Sequence, residues 1–274
     1  MMRVAGHATT LSDTFDACRA GRRAAFIPFV MAGDPTTFAC MEALIACAQS
    51  GADVIEVGMP YSDPIADGPT IQQAAHRALS GGMSFDKAID IAARARRHLA
   101  SVPLVCFTYY NPVFVRGVER TAHDLAAAGF RGAVMTDLPL EESHAVIAAF
   151  DACGVAVTLL VAPTTPAERA AAIAHACTGF VYVVTRLGVT GAKAHVGEML
   201  RARVTQLRAV TSKPLAAGFG ITTPVQASEA ARSCDGVVVG SALVELVARS
   251  AETNSVREEV ERFCSGMAAA CRRR

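Results

Sequence analysis

The chain alternates between two kinds of segment from end to end, and this alternation constrains its fold more than any other feature. Short apolar runs of β type are each followed by a longer, alanine-rich stretch with helical periodicity. Eight such runs occur, at residues 25–32, 54–58, 104–108, 132–136, 156–161, 181–184, 215–218 and 236–240. They are apolar nearly throughout, which is typical of a parallel sheet that is covered on both faces.

Eight strand–helix units favour an α/β fold of the (β/α)8, or TIM barrel, type. The alternative is a doubly wound open sheet, which is expected to carry a G-x-G-x-x-G turn after its first strand. The chain has Gly33-Asp34-Pro35 at that place, so the barrel is favoured. Extra helices are predicted at residues 11–20 and 254–270, one at each end of the chain.

The composition predicts one domain over residues 1–274, with the barrel at about 25–250. Hydrophobic residues make up 52% of the chain, enough for a large core, and no break in composition suggests a second domain. Capping residues predict three helix starts, at Asp34-Pro35, at Thr165 with Glu168, and at Thr223 with Gln226.

Charge and cysteine content exclude several classes of function. The 26 Lys and Arg residues are balanced by 25 Asp and Glu residues, which argues against a nucleic-acid binder. No apolar run approaches the ~20 residues that span a membrane, and the first residues lack the apolar segment of a signal peptide. The nine cysteines form no C-x-x-C pair and the seven histidines show no metal-ligand spacing. We therefore expect a cytoplasmic protein without disulfides, metal or membrane contact.

Active sites of this barrel type lie at the carboxyl ends of the strands and in the loops that follow. Glu56 stands out there because it interrupts the second apolar run. A carboxyl group that points into the barrel mouth has its pKa raised by burial, which suits proton transfer near neutral pH. The alternative is a glutamate that only pairs with a basic neighbour.

The segment after this strand, residues 59–69, is long for a connection between a strand and a helix, for which ~2–6 residues are usual. It offers Asp63 and Asp67. Two carboxylates across a pocket can divide acid and base roles between them. Each is equally compatible with a turn former beside its proline or glycine.

Glycine-rich segments follow the last three predicted strands, at residues 187–191, 218–221 and 240–242. Glycines let backbone N–H groups approach an anion, and a helix that starts near Ser241 directs its positive end to the same place. Barrels frequently bind phosphate here, although tight turns need glycine too. Tyr109 and Tyr182 are candidates for a flat apolar pocket, or for packing alone. The residues by themselves predict a phosphate-binding barrel enzyme for a small-molecule substrate, with acid–base carboxylates and no evident cofactor.

The segment 56–72, which reads EVGMPYSDPIADGPTIQ, closely resembles the signature of the tryptophan synthase alpha subunit family. The resemblance covers residues 26–244 and includes Tyr109-Tyr110-Asn111-Pro112, Asp137-Leu138-Pro139 and the three glycine-rich segments. It implies a retro-aldol lyase that cleaves indole-3-glycerol phosphate to indole and glyceraldehyde 3-phosphate without a cofactor of its own. It also implies that Glu56 is the acid–base glutamate and Asp67 the catalytic aspartate.

The resemblance assigns further residues to the substrate. Phe29, Phe107 and Tyr182 match positions that line the pocket for indole and glycerol, with Tyr109 beside them. Thr190 matches a threonine of a mobile loop that contacts the aspartate when the site closes. The phosphate is expected in a cradle of four residues, namely Gly191, Gly220, Gly240 and Ser241.

The family acts with a beta subunit that carries pyridoxal phosphate, as an alpha2beta2 heterotetramer that passes indole between subunits. Pro60, Asp63 and Asn111 match its contact surface. Two alternatives stay open, a stand-alone lyase that releases free indole and a chain that mainly activates its partner allosterically. The intact pair of Glu56 and Asp67 argues against a purely non-catalytic role.

Overall fold

The structure is a computed structural model that describes residues 9–99, 101–185 and 193–272. Its strands are β1 (Ala25–Met31), β2 (Ile55–Gly58), β3 (Leu104–Thr108), β4 (Phe130–Met135), β5 (Ala156–Thr158), β6 (Leu160–Val161), β7 (Val181–Val184), β8 (Leu215–Gly218) and β9 (Gly236–Val239). Its helices are α1 (Leu11–Ala20), α2 (Thr37–Gln49), α3 (Pro69–Ser80), α4 (Phe85–Ala95), α5 (Tyr110–Arg116), α6 (Val118–Ala128), α7 (Ser143–Ala152), α8 (Ala167–Ala176), α9 (Lys193–Arg208), α10 (Pro224–Ala231), α11 (Ser241–Ala251) and α12 (Val256–Ala270). Short 3-10 turns at Arg96–His98 and Leu140–Glu142 complete the order.

The strands form a parallel barrel, which confirms the predicted fold class. The sheet order is β5-β4-β3-β2-β1-β9-β8-β7-β6, so its two ends are β5 and β6. These are two parts of one predicted strand, 156–161, and only Leu159 separates them. The Leu159 N–H bonds to the Cys177 sulfur at 3.3 Å rather than to a neighbouring strand. The eight predicted runs thus correspond to the eight strands of the barrel. The fifth is interrupted at Leu159, and its two parts form the two ends of the sheet.

Side chains of the strands divide into two buried layers. In β1, Ile27 and Phe29 belong to the cluster inside the barrel, whereas Phe26 and Val30 pack in the cluster beneath the helices. Both faces of the strands are therefore buried, and this accounts for their continuous apolar sequence.

The predicted extra helices are present at both ends of the chain. Helix α1 buries Leu11 and Phe15 among the residues inside the barrel, and the Phe15 ring lies 5.6 Å from that of Phe180, which precedes β7. Helix α1 thus covers the amino end of the barrel and leaves the carboxyl end as the open mouth. Helix α12 packs along α2. None of the helices within the described ranges is long and apolar enough to cross a bilayer.

One of the three predicted helix starts is confirmed. Thr223 and Gln226 form a reciprocal capping box at the start of α10. The Thr165 hydroxyl instead accepts a hydrogen bond from the Ala162 N–H at 3.0 Å, so it closes the preceding loop and does not cap α8. Asp34 does not cap α2 either, because its carboxylate is paired with Arg77, and Thr36 caps that helix.

Candidate active site

A cavity opens at the carboxyl end of the barrel. It brings together groups from both the early and the late strands, which the sequence separates by up to 212 positions. Its walls are formed by Phe29, Glu56, Asp67, Ile71, Phe107, Tyr182, Phe219, Gly220, Val238, Gly240 and Ser241. Eight of these were singled out from the sequence, so the cavity is the candidate active site.

Glu56 lies on β2 at the floor of this cavity. In the register of the sheet, Glu56 is paired with Phe29 on β1 and with Val105 on β3. Both of these belong to the apolar cluster inside the barrel. The residue is 0% exposed, and neither of its carboxylate oxygens has a hydrogen-bond partner among the described residues. Burial raises the pKa of Glu56 from 4.5 to about 8. At pH 7 Glu56 is therefore protonated and able to donate its proton.

Asp67 lies on the loop between β2 and α3, at the side of the cavity. Burial raises the pKa of its carboxyl group from 3.8 to about 6, against the opposing effect of a hydrogen bond from Tyr109. The Tyr109 hydroxyl donates to Oδ2 of Asp67 at 3.0 Å and accepts from the Ala66 N–H at 3.0 Å. Asp67 is thus mostly ionised at pH 7, so the two carboxyl groups differ in protonation state.

Aromatic rings line the cavity between these carboxyl groups. The rings of Phe29 and Phe107 meet edge to face at 5.2 Å, and those of Tyr182 and Phe219 at 5.5 Å. Tyr182 is buried, and its pKa is raised first by that burial and then by the charges of Glu56 and Asp67. The arrangement suits a flat apolar ring with a polar edge.

The opposite wall consists of backbone. Gly240 caps α11, and Ser241 is the first residue of that helix, so its free N–H groups face the cavity. Phe219 and Gly220 both have positive φ, 69° and 99°, and the Thr185 hydroxyl donates to the Phe219 carbonyl. A Cβ atom on Gly218 would overlap the Tyr182 ring, which explains the glycine at this strand end. This wall can receive an anion.

The remaining predicted residues are placed as follows. Thr190 and Gly191 lie outside the described residues. Tyr109 does not line the cavity but bonds to Asp67. Asp63 and Asn111 are exposed at the mouth, while Pro60 is buried. The Asn111 amide donates to the Tyr61 hydroxyl at 3.1 Å, and the Tyr61 ring lies 5.2 Å from that of Tyr109.

Sequence reasoning missed Ile71, Phe219 and Val238 as lining residues. Phe219 stands between two glycines at a strand end, a sequence signal that favours a side chain presented at the barrel mouth. No local pattern pointed to Ile71, which reaches the cavity from the first turn of α3. Among the described residues no group of three or more His, Cys, Asp or Glu side chains is placed to hold a metal ion.

Comparisons with known proteins agree with this geometry. A family model described as the tryptophan synthase alpha chain matches residues 15–272. The tryptophan synthase alpha chain of Gloeobacter violaceus is 47% identical over 255 residues, which are 93% of this chain and 92% of that protein. That of Picosynechococcus is 44% identical over 94% of this chain and 98% of that protein.

Solved structures give the same result. A structure of tryptophan synthase from Mycobacterium tuberculosis matches with a TM-score of 0.87 and 38% identity, covering 98% of this chain and 100% of that one. The tryptophan synthase subunit alpha from Legionella pneumophila matches with a TM-score of 0.87 and 32% identity, covering 95% of this chain and 97% of that one. The chain therefore belongs to the tryptophan synthase alpha chain family, lyases that cleave indole-3-glycerol phosphate to indole and glyceraldehyde 3-phosphate in tryptophan biosynthesis.

Proposed function

We propose that this cavity performs the cleavage as a retro-aldol reaction in which Glu56 moves the protons and Asp67 stabilises the developing positive charge. The observation that carries the proposal is the difference between the two carboxyl groups. Glu56 is buried without a hydrogen-bond partner among the described residues and stays protonated to about pH 8, while Asp67 titrates at about pH 6. Environments that push two pKa values apart are typical of paired acid and base roles.

The reaction then proceeds in two proton-transfer steps, with Asp67 stabilising the cation between them. Glu56 donates its proton to C3 of the indole ring, which places a positive charge on the ring nitrogen side. Asp67 stabilises this cation from beside the ring N–H. The Glu56 carboxylate next accepts the proton of the glycerol hydroxyl; the bond between C3 and the glycerol carbon breaks, its electron pair returns to the ring, and the aldehyde forms. Glu56 ends protonated again, so no external acid is consumed.

The walls of the cavity fit the two halves of the substrate. Phe29, Phe107 and Tyr182 hold the indole, and the backbone at Gly220, Gly240 and Ser241 holds the phosphate. We place Thr190 and Gly191 in the same site on the strength of the sequence resemblance. No cofactor takes part in these steps.

The two pKa values predict a bell-shaped pH profile for kcat/KM, which reports groups of the free enzyme. Activity is expected to fall above about pH 8, where Glu56 loses the proton that it must donate. It is expected to fall below about pH 6, where Asp67 is neutralised. Indole release measured from pH 5 to pH 9.5 tests this. A profile that is flat from pH 5 to pH 9 would contradict the assignment of both carboxyl groups.

Gly240→Val is expected to weaken glycerol 3-phosphate binding at least about tenfold, because a side chain here blocks anion access to the N–H groups of α11. Gly240 has a negative φ of −109°, and an added Cβ would meet the Phe29 side chain only at 3.8 Å, which is ordinary van der Waals contact. Gly266→Val on α12 is the control, since its Cβ would enter open space. Unchanged affinity by titration calorimetry would move the phosphate site elsewhere.

The partner in this proposal is a beta subunit that contains pyridoxal phosphate, in an alpha2beta2 assembly in the cytoplasm. Exposed apolar side chains at the cavity end of the barrel support a docking surface, namely Ile65 at 85% exposure, Phe114 at 65% and Val115 at 76%. The exposed Asp63 belongs to the same loop as Ile65, the exposed Asn111 belongs to α5 with Phe114 and Val115, and Pro60 is buried.

Asp63→Ala is expected to leave the basal indole release of the isolated chain nearly unchanged and to remove most of the stimulation by a beta subunit. Asp63 precedes the turn that ends at Asp67, so a partner docked on it can raise the competent population of the catalytic carboxylate. The measurement is indole release at increasing beta subunit for both chains. Full stimulation of the Asp63→Ala chain would contradict the contact, and a wild-type chain that no beta subunit stimulates would favour the stand-alone lyase.

A further inference from the structure

Gln72, in the first turn of α3, bonds to the backbone of the loop that carries Asp67. Its amide nitrogen lies 3.0 Å from the carbonyl oxygen of Asp67 and 3.3 Å from that of Pro64. The same two residues close a turn, because the Asp67 N–H donates to the Pro64 carbonyl at 3.1 Å. One side chain therefore holds both ends of the turn that presents the Asp67 carboxylate.

Helix α3 is a firm support for this side chain. It buries Ile71 and Ala74 against the barrel. One turn beyond them, Arg77 bonds to the buried Asp34 through two nitrogens, at 2.8 and 3.0 Å. Such a two-point pair fixes direction as well as distance. Gln72 thus ties the loop to a helix whose own position is set by the barrel.

The part of the loop just before Asp67 contributes little apolar burial, since Ile65 is 85% exposed and Ala66 is exposed beside it. Segments of this kind open readily unless hydrogen bonds hold them. Tyr109 bonds to the Asp67 carboxylate and to the Ala66 N–H, whereas Gln72 bonds to carbonyl groups. The two side chains thus bind different groups of the same turn.

We propose that Gln72 is a positioning residue for Asp67, whose two hydrogen bonds keep the carboxylate at the indole side of the cavity. The inference rests on the proposed function of Asp67. A displaced carboxylate impairs the stabilisation of developing charge more than it impairs substrate binding. Gln72→Met keeps the length of the side chain and removes both donors. It is expected to lower kcat about tenfold and to leave KM within about twofold.

The matched control is Gln73→Met, at another exposed glutamine, which occupies the next position of α3. Indole release is measured for both variants and the wild type. In an Asp67→Asn background, Gln72→Met is expected to change the residual rate less than about twofold, because its effect passes through Asp67. Amide hydrogen exchange by NMR adds a readout that needs no activity: the Asp67 N–H is expected to exchange faster in Gln72→Met than in Gln73→Met.

Equal kcat for the two variants, a full tenfold loss in the Asp67→Asn background, or equal exchange of the Asp67 amide would each overturn the positioning role. The proposed reaction itself would be overturned if the wild-type chain released no indole. If exchange of the Asp67 amide still depended on Gln72 in that case, the contact between Gln72 and the loop would be supported.

Discussion

Glu56→Gln is expected to lower indole release by about 10³-fold or more while the chain stays folded. The amide has nearly the shape of the protonated carboxyl group, but it neither gives up a proton to C3 nor accepts one from the glycerol hydroxyl. A single general acid–base role is typically worth about 10²–10⁴-fold, and Glu56 has two successive roles. Steady-state indole release at pH 7 measures the loss.

The control for this substitution is Glu119→Gln, at an exposed position in the first turn of α6. It is expected to retain wild-type activity. Glycerol 3-phosphate affinity is expected to stay within about twofold in both variants, because the phosphate wall lies on the late strands. Activity of Glu56→Gln within about threefold of wild type would exclude the proton-transfer role.

Asp67→Asn is expected to lower kcat by about 10²–10³-fold with little change in KM, since a neutral amide cannot stabilise the cation that forms on the ring. The amide oxygen can still accept the hydrogen bond from Tyr109, so the loop should keep its conformation. Asp63→Asn, four positions earlier on the same loop and exposed, is the control in the absence of partner. A rate for Asp67→Asn near that of Asp63→Asn would show that Asp67 is only a turn former.

The fold and the position of Glu56 could be predicted because both depend on local pattern. A carboxylate stands out in a strand that is apolar on both faces. Because side chains alternate along a strand, Glu56 lies on the same face as Val54, which is inside the barrel. The glycine-rich strand ends were visible for a similar reason, since left-handed backbone at Gly220 and close approach at Gly218 both require glycine.

What the sequence did not reveal are contacts between distant elements. The bond from Tyr109 to Asp67 joins residues 42 positions apart, and the pair of Asp34 with Arg77 joins residues 43 positions apart. Asp34 satisfies the local rule for a helix cap, but the half-exposed Arg77 binds the same buried carboxylate. The break at Leu159 is of the same kind, because the Leu159 N–H bonds to the sulfur of Cys177, 18 positions away.

The isolation of Glu56 inside the barrel also lowers the folding stability of the chain at neutral pH. The folded chain keeps the proton on Glu56 up to about pH 8, whereas an ordinary glutamate loses it near 4.5. Between these values the folded state binds more protons than the unfolded state, so the free energy of unfolding falls as the pH rises. Glu56 causes no loss of stability below about pH 4.5, and the loss grows until about pH 8. At pH 7 the loss is on the order of 3 kcal/mol, a large part of the ~5–15 kcal/mol that typically holds a domain folded. Burial of the apolar layers on both sides of β2 has to offset this loss, since Glu56 has no hydrogen-bond partner within the described part of the chain.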